Sequence, residues 1–288
     1  MRKFLSLLIF ISILTMSSCS DMLSPVINIT ADGGDSGGIS GTMPPHYTQN
    51  GFGNTPENTP ENTPNEIPDR FTEDEHKIAV FENGAPDGFF ARNDRGNGDP
   101  FNCSFSNQNA IIGAGVLRLS LTNNGGSFAG AEYRTYQRYS YGFYSVSMKA
   151  AKCPGVISSF FIYTNRPWDE IDIEFLGDDT TRVQFNYFTN GEGGHEYIYN
   201  LGFDASEDFH EYAFDWQENS ITWYVDGKAV YTAVVNIPSH DANIMMNLWN
   251  VSDSHSDWAG KFDQTKLPVH SEYQWIGYQS AGACTLDK

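Results

Sequence analysis

Positive charge is scarce in this 288-residue chain, in which 17 Lys and Arg stand against 36 Asp and Glu, a formal net charge of −19. Nucleic acids and anionic membrane surfaces capture proteins through Lys and Arg, so neither is an expected partner. Sulfated polysaccharides are disfavoured for the same reason, and neutral glycans remain. Metal ligands are also sparse. The seven histidines are scattered, with no HExxH or CxxC pattern, and no glycine-rich phosphate loop follows a strand. No catalytic metal and no required cofactor is expected. His195 and His210 sit beside Glu or aromatic residues, which predicts structural roles for both.

Long apolar runs are missing except at the start. Met1-Arg2-Lys3 followed by FLSLLIFISIL is a charged region and a short apolar core. That is a signal peptide over residues 1–18, too short to span a bilayer as a helix. Thr15-Met16-Ser17-Ser18-Cys19 places small residues before a cysteine and resembles a bacterial lipoprotein cleavage site. The expectation is export, with lipid on Cys19 holding the protein at the cell surface or outer membrane. That lipid is the only expected membrane contact, and plain secretion is the alternative. Cysteine is rare as well: after Cys19 only Cys103, Cys153 and Cys284 follow, enough for one bridge at most.

Residues 19–70 are poor in aliphatics and rich in Gly, Ser, Thr, Asn and Pro, with NTPENTPENTP at 54–64. This composition predicts a solvated, disordered tether. Gly34-Asp35-Ser36-Gly37-Gly38 imitates a serine-protease nucleophile signature, but the His and Asp that should come before it are absent, since no His precedes position 46.

Helical periodicity is the last absence. From 71 to 288 the pattern is short strands and turns, with 40% hydrophobic and 14% aromatic residues in the whole chain. Leu117–Leu121, Tyr144–Met148, Val183–Tyr187 and Ile221–Val225 have strand composition, and Asn190-Gly191 and Asp226-Gly227 are turn pairs. The expected fold is all-β, a curved antiparallel β-sandwich with one concave face.

Trp168-Asp169-Glu170-Ile171-Asp172-Ile173-Glu174-Phe175 alternates strictly, as a half-buried strand does. Ile171, Ile173 and Phe175 face a core, and Glu170, Asp172 and Glu174 share the other face with no Lys or Arg to neutralise them. Glycoside hydrolysis requires such a carboxylate set. Cα atoms four residues apart on a flat strand lie about 13 Å apart. A retaining glycosidase needs its two carboxyl groups about 5–5.5 Å apart. The acidic face must therefore be concave. The charges of Asp172 and Glu170 would hold a proton on Glu174, leaving Glu170 as nucleophile, although physics alone allows the labels to be exchanged.

WDEIDIEFLG at 168–177, VQFNYFTNG at 183–191, LGFDA at 201–205, Phe209–Trp216 and IMMNLWN at 244–250 resemble bacterial lichenases. These are endo-β-1,3-1,4-glucanases of glycoside hydrolase family 16. The resemblance runs from about Val80 to Tyr278. Its uninterrupted E-x-D-x-E differs from the E-x-D-x-x-E of laminarinase-like relatives. It implies a β-jelly-roll and retaining cleavage of β-1,4 bonds that follow a β-1,3 linkage. Glu170 becomes nucleophile, Glu174 acid/base and Asp172 their assistant.

The resemblance also implies a cleft. Glu132 and Arg134 would hydrogen-bond sugar hydroxyls, with Asn97 and Phe101 nearby. Phe161, Tyr163 and Trp168 take aromatic and hydroxyl positions, and Gln184, Asn186, Asn247, Trp249 and Trp258 complete the set. Three residues depart from the pattern. Phe188 stands where Tyr is usual. Gly130 replaces a cysteine that in some members bridges to the equivalent of Cys103. Gln274 replaces an acid that in some relatives binds a structural calcium, which puts calcium binding in doubt. The expected partner is a neutral β-glucan, acted on by a monomer. The rivals are an endo-β-1,3-glucanase, a non-catalytic surface glycan-binding protein and a structural surface protein.

Overall fold

The computed structural model describes residues 76–282. The leader at 1–18, the tether at 19–70, residues 71–75 and Cys284 lie outside the described residues.

Antiparallel strands build two sheets. One runs in the order Tyr197–Asn200, Arg182–Phe188, Trp168–Leu176, Val156–Asn165, Ala242–Asn250, Ser127–Tyr139, with Phe89–Ala91 on the outer side of the last. The other runs Val116–Asn124, Val269–Ser280, Gly142–Lys149, His210–Gln217, Ser220–Val225, Lys228–Ala233. Val116–Asn124 and Ser127–Tyr139 join the two sheets through a hairpin at Gly125-Gly126. Both of these glycines have positive φ, which the turn requires. The longest described helix is Ser256–Ala259.

Strict alternation explains the layering. Ile171, Ile173 and Phe175 are wholly buried, as are Val183 and Phe185 on the neighbouring strand. They meet Tyr212, Phe214, Trp216 and Trp223 of the opposite sheet, also fully buried. Phe175 meets Tyr212 edge-on at 4.9 Å and Phe185 stacks on Trp223 at 5.6 Å. Burying each such apolar side chain contributes roughly 1.5–3 kcal/mol. Trp223 Nε1 donates across the core to the Asp172 carbonyl at 3.1 Å, so the opposite sheet supports the acidic strand from behind.

Both turn pairs behave as their sequence predicts. Asn190 and Gly191 have φ of 53° and 82°, and Asp226 and Gly227 have φ of 46° and 78°. The second pair joins Ser220–Val225 to Lys228–Ala233. The pairing of Ala242–Asn250 with Ser127–Tyr139 slips between Asn243 and Met245. Such irregularities bend a sheet locally.

Candidate active site

The strand Trp168–Leu176 presents Glu170, Asp172 and Glu174 to a hollow on the first sheet. Their neighbours there come from the adjoining strands: Phe161 and Tyr163 on one, Asn247 and Trp249 on the next. Trp168 Nε1 donates to Glu170 Oε2 at 2.7 Å, and Gln184 Nε2 donates to Glu174 Oε2 at 2.8 Å. Asp172 is hydrogen-bonded to Glu170.

Burial governs the protonation of all three acids. It raises Glu174 to about 7 and Asp172 well above the usual carboxylate range, and it raises Glu170 too, although hydrogen bonds from Trp168 and Asp172 pull that carboxyl back toward its charged form. The hydrogen bond between them raises Asp172 and lowers Glu170, so Asp172 is the protonated partner and donates to Glu170. The Trp168 indole donates to Glu170 as well, and both contacts favour the charged form of that carboxylate. The charge spacing on the strand predicts that neighbouring acids raise Glu174. Burial is the larger cause, the charge of Glu196 adds to it, and the repulsion of Glu174 with Glu170 and with Asp172 raises those two acids.

The sign of the resulting pH dependence follows. A raised carboxyl binds more protons in the folded state than in the unfolded chain over the interval between its two pKa values. Stability is thus lost as pH climbs from about 4.5 toward 7 for Glu174. Glu174→Gln removes one contributor. Its unfolding free energy relative to the unaltered protein should improve by about 3 kcal/mol between pH 4.5 and pH 8. Urea titrations at the two pH values check this, and a pH-independent difference would contradict it.

The far wall of the hollow depends on a residue the sequence reading missed. Arg92 is buried, and its Nη1 donates to Asn97 Oδ1 at 2.7 Å and meets Glu132 Oε2 at 3.2 Å, while its Nε pairs with Asp94. Glu132 is buried between Arg92 and Arg134, which approaches Oε1 at 3.5 Å. Two cations thus hold one buried acid, and the Arg92 bond fixes Asn97. Gly96 allows this loop to close, because at φ of 84° a Cβ would lie 2.2 Å from the Cys103 carbonyl oxygen. Phe101 stacks on Trp249 at 3.8 Å.

Eight of the twelve expected cleft residues line the hollow: Asn97, Phe101, Glu132, Phe161, Tyr163, Trp168, Asn247 and Trp249. Four stand behind or beside it. Arg134 reaches Glu132 and Asn243. Gln184 holds Glu174 and accepts from Trp258 Nε1 at 3.1 Å, so both act on the acid from the flank. Asn186, paired in register with Asp172, is fully buried, and its Nδ2 has no hydrogen-bond partner. Besides Arg92, the lining includes Asp99, Pro100, Ser159 and Asn165, which no motif marked, Met245, which lies within IMMNLWN but was not singled out, and Phe188. Phe188 stacks on Trp168 at 4.7 Å.

Asp169 shares the strand but faces the core, where it is 1% exposed. It accepts from Asn190 N, Ser239 N, His240 N and His240 Nδ1, which tie two loops to the start of the acidic strand. These bonds hold its carboxyl below the usual range, against the opposing effect of burial. His195 stacks on Tyr187 and His210 on Phe203, outside the hollow. Cys103 and Cys153 are buried free thiols, and Gly130 lies against Cys103 Sγ.

Gln274 offers a poor place for calcium. Its Oε1 is engaged by Ser147 Oγ at 2.8 Å. A hard cation favours charged oxygen ligands. Chelation should therefore leave the melting temperature unchanged, and a large drop reversed by calcium in a thermal scan would contradict this.

Carboxylates in a hollow of a curved β-sheet, lined also by aromatic rings suited to sugar faces, define a glycan-cleaving sandwich. Comparison with known proteins agrees. Residues 97–275 match the model of glycosyl hydrolases family 16. A β-glucanase of Paenibacillus polymyxa is 54% identical over 190 residues, 64% of this chain and 79% of that protein. The solved Bacillus licheniformis β-glucanase superimposes with a TM-score of 0.68 at 47% identity, covering 70% of this chain and 96% of that one. A prokaryotic β-1,3-1,4-glucanase (lichenase) from a mouse hindgut metagenome gives 0.67 at 48%, covering 70% and 97%. The chain belongs to family 16 of the glycosyl hydrolases and is a glycoside hydrolase of the jelly-roll type.

Proposed function

We propose that this chain is an endo-glucanase that cleaves β-1,4 bonds following a β-1,3 linkage in mixed-linkage β-glucan, with retention at the anomeric carbon. The observation that carries this is the uninterrupted acidic strand, Glu170, Asp172 and Glu174 on one face of the hollow. The solved relative described as a lichenase supports the linkage.

Glu170 attacks the anomeric carbon while Glu174 gives its proton to the departing glycosidic oxygen, leaving a glycosyl ester on Glu170. Glu174, now a carboxylate, takes a proton from water, and the resulting hydroxide displaces Glu170. Asp172 holds a proton against Glu170 while its carboxylate is free and loses that contact as the ester forms. Burial suits Glu174 to its part, since a carboxyl near 7 can both give and take a proton at neutral pH. Incubation with mixed-linkage glucan, pure β-1,3-glucan and cellulose tests the linkage. Oligosaccharides should appear from the first alone, and comparable release from pure β-1,3-glucan would overturn it.

The enzyme works as an exported monomer, anchored through lipid on Cys19. Cys19→Ala should move it from the detergent phase to the aqueous phase on phase separation, and a native protein already aqueous would contradict the anchor.

A further inference from the structure

A row of paired residues leads from the acids to the rim of the sheet. Asp172 pairs with Phe161, Phe161 with Met245, Met245 with Arg134, and Arg134 with Phe90. Cross-strand partners share a face, so this row crosses the sugar-facing side of the sheet. Four strand spacings at about 4.8 Å carry it roughly 19 Å from the catalytic strand, a span that takes several sugar rings. Next along the strand from Arg134 on the same face is Tyr136.

Phe90 and Tyr136 stack at 4.4 Å with their rings 26° apart. Tyr136 is 70% exposed, the largest exposure of any large hydrophobic among the described residues. The Arg134 guanidinium lies 5.7 Å from the Phe90 ring centre. Holding the short strand in place does not require this stack. The adjacent Phe89, on the opposite face, stacks on Tyr133 at 5.6 Å with the rings 8° apart and packs against the core. Phe90 precedes the span that matches the family, 97–275.

We propose that the Phe90–Tyr136 stack is a carbohydrate-binding platform that holds a distal segment of a neutral glucan chain whose reacting bond lies over Glu170 and Glu174. It rests on the proposed function, which puts a glucan chain in the hollow. The stack is continuous with the hollow through Arg134 and Glu132, and it adds no net charge of its own. An aromatic face suits the apolar face of a pyranose ring, and the Arg134 donors beside it suit hydroxyls. Phe90 backs the Tyr136 ring and limits its motion, which lowers the entropic cost of binding. Binding so far from the reacting bond is the same in ground state and transition state, so it lowers KM and leaves kcat unchanged.

The test uses Tyr136→Ala and Tyr136→Phe in the full chain. On polymeric mixed-linkage glucan, Tyr136→Ala should raise KM roughly three- to tenfold with kcat unchanged, as loss of one aromatic contact implies. Tyr136→Phe should match the unaltered protein. On a short aryl-oligoglucoside that reaches only the acids, all three should be equal. In a Glu170→Gln background, which stops turnover, Tyr136→Ala should be less retarded in native gels containing the soluble polymer. Equal KM and equal retardation would overturn the platform, and so would an equal loss on polymer and short substrate. A Tyr136-dependent dimer with unchanged retardation would assign the stack to a second copy of the chain and overturn it too. If the protein cleaves a different neutral glucan, the proposed linkage fails separately, and the platform is judged by the same comparison on that glucan.

Discussion

Glu170→Ala and Glu174→Ala should each lower turnover by several orders of magnitude while the fold persists. Removing a general acid/base costs about 10²–10⁴-fold, and removing the nucleophile closes the covalent route altogether. Neither carboxylate belongs to the apolar core, and both are costly to bury charged. The two variants should differ with added azide. In Glu170→Ala the vacated space admits azide to the face opposite the leaving group, giving an α-glycosyl azide. In Glu174→Ala an activated substrate still forms the ester on Glu170, and azide then displaces it to give the β-product. The same anomer from both variants would show that the two carboxylates do not divide the work this way. Circular dichroism and melting curves on each variant separate lost chemistry from lost structure.

Trp223→Ala should destabilise the domain by about 3–5 kcal/mol, the cost of truncating a large buried aromatic. Trp223 is wholly buried, stacks on Phe185 and on Tyr231 at 5.4 Å, and donates to the Asp172 carbonyl. Trp223→Phe keeps much of the ring packing but loses the donor. Its stability should fall by about 1 kcal/mol, the worth of one hydrogen bond. Its kcat should fall more than its KM rises, because the bond ties the acidic strand to the sheet behind it. Denaturant unfolding and steady-state kinetics on the pair measure both effects. Loss of stability without any change in kcat would mean that the strand holds its position without the indole.

Parts of the fold and the site were legible in the sequence. Ile171, Ile173 and Phe175 alternate with three acids, so one strand carries both a core face and a functional face in its residue order. Asn190-Gly191 and Asp226-Gly227 were readable because positive φ restricts the residues a tight turn accepts. Arg92 was not readable. It follows the three-residue strand Phe89–Ala91 in a polar stretch, and its importance comes from Glu132, forty residues further along the chain. Met245 and Ser159 look like ordinary strand residues, and only their register beside Phe161 and Glu174 brings them to the hollow. Asp169 gave the opposite difficulty. It reads as part of an acidic run, yet strand parity turns it into the core, where four hydrogen bonds from two distant loops satisfy it. The repulsion among the acids was readable from their spacing on one strand, whereas burial, the larger cause of their raised pKa, depends on walls contributed by several strands.

Whether Glu170 and Glu174 cooperate in a double displacement is decided by the configuration of the first product. NMR spectra recorded in the first minutes of hydrolysis, before mutarotation, should show the β-anomer of the new reducing end. Early appearance of the α-anomer would mean that water attacks the sugar directly and that no ester forms on Glu170.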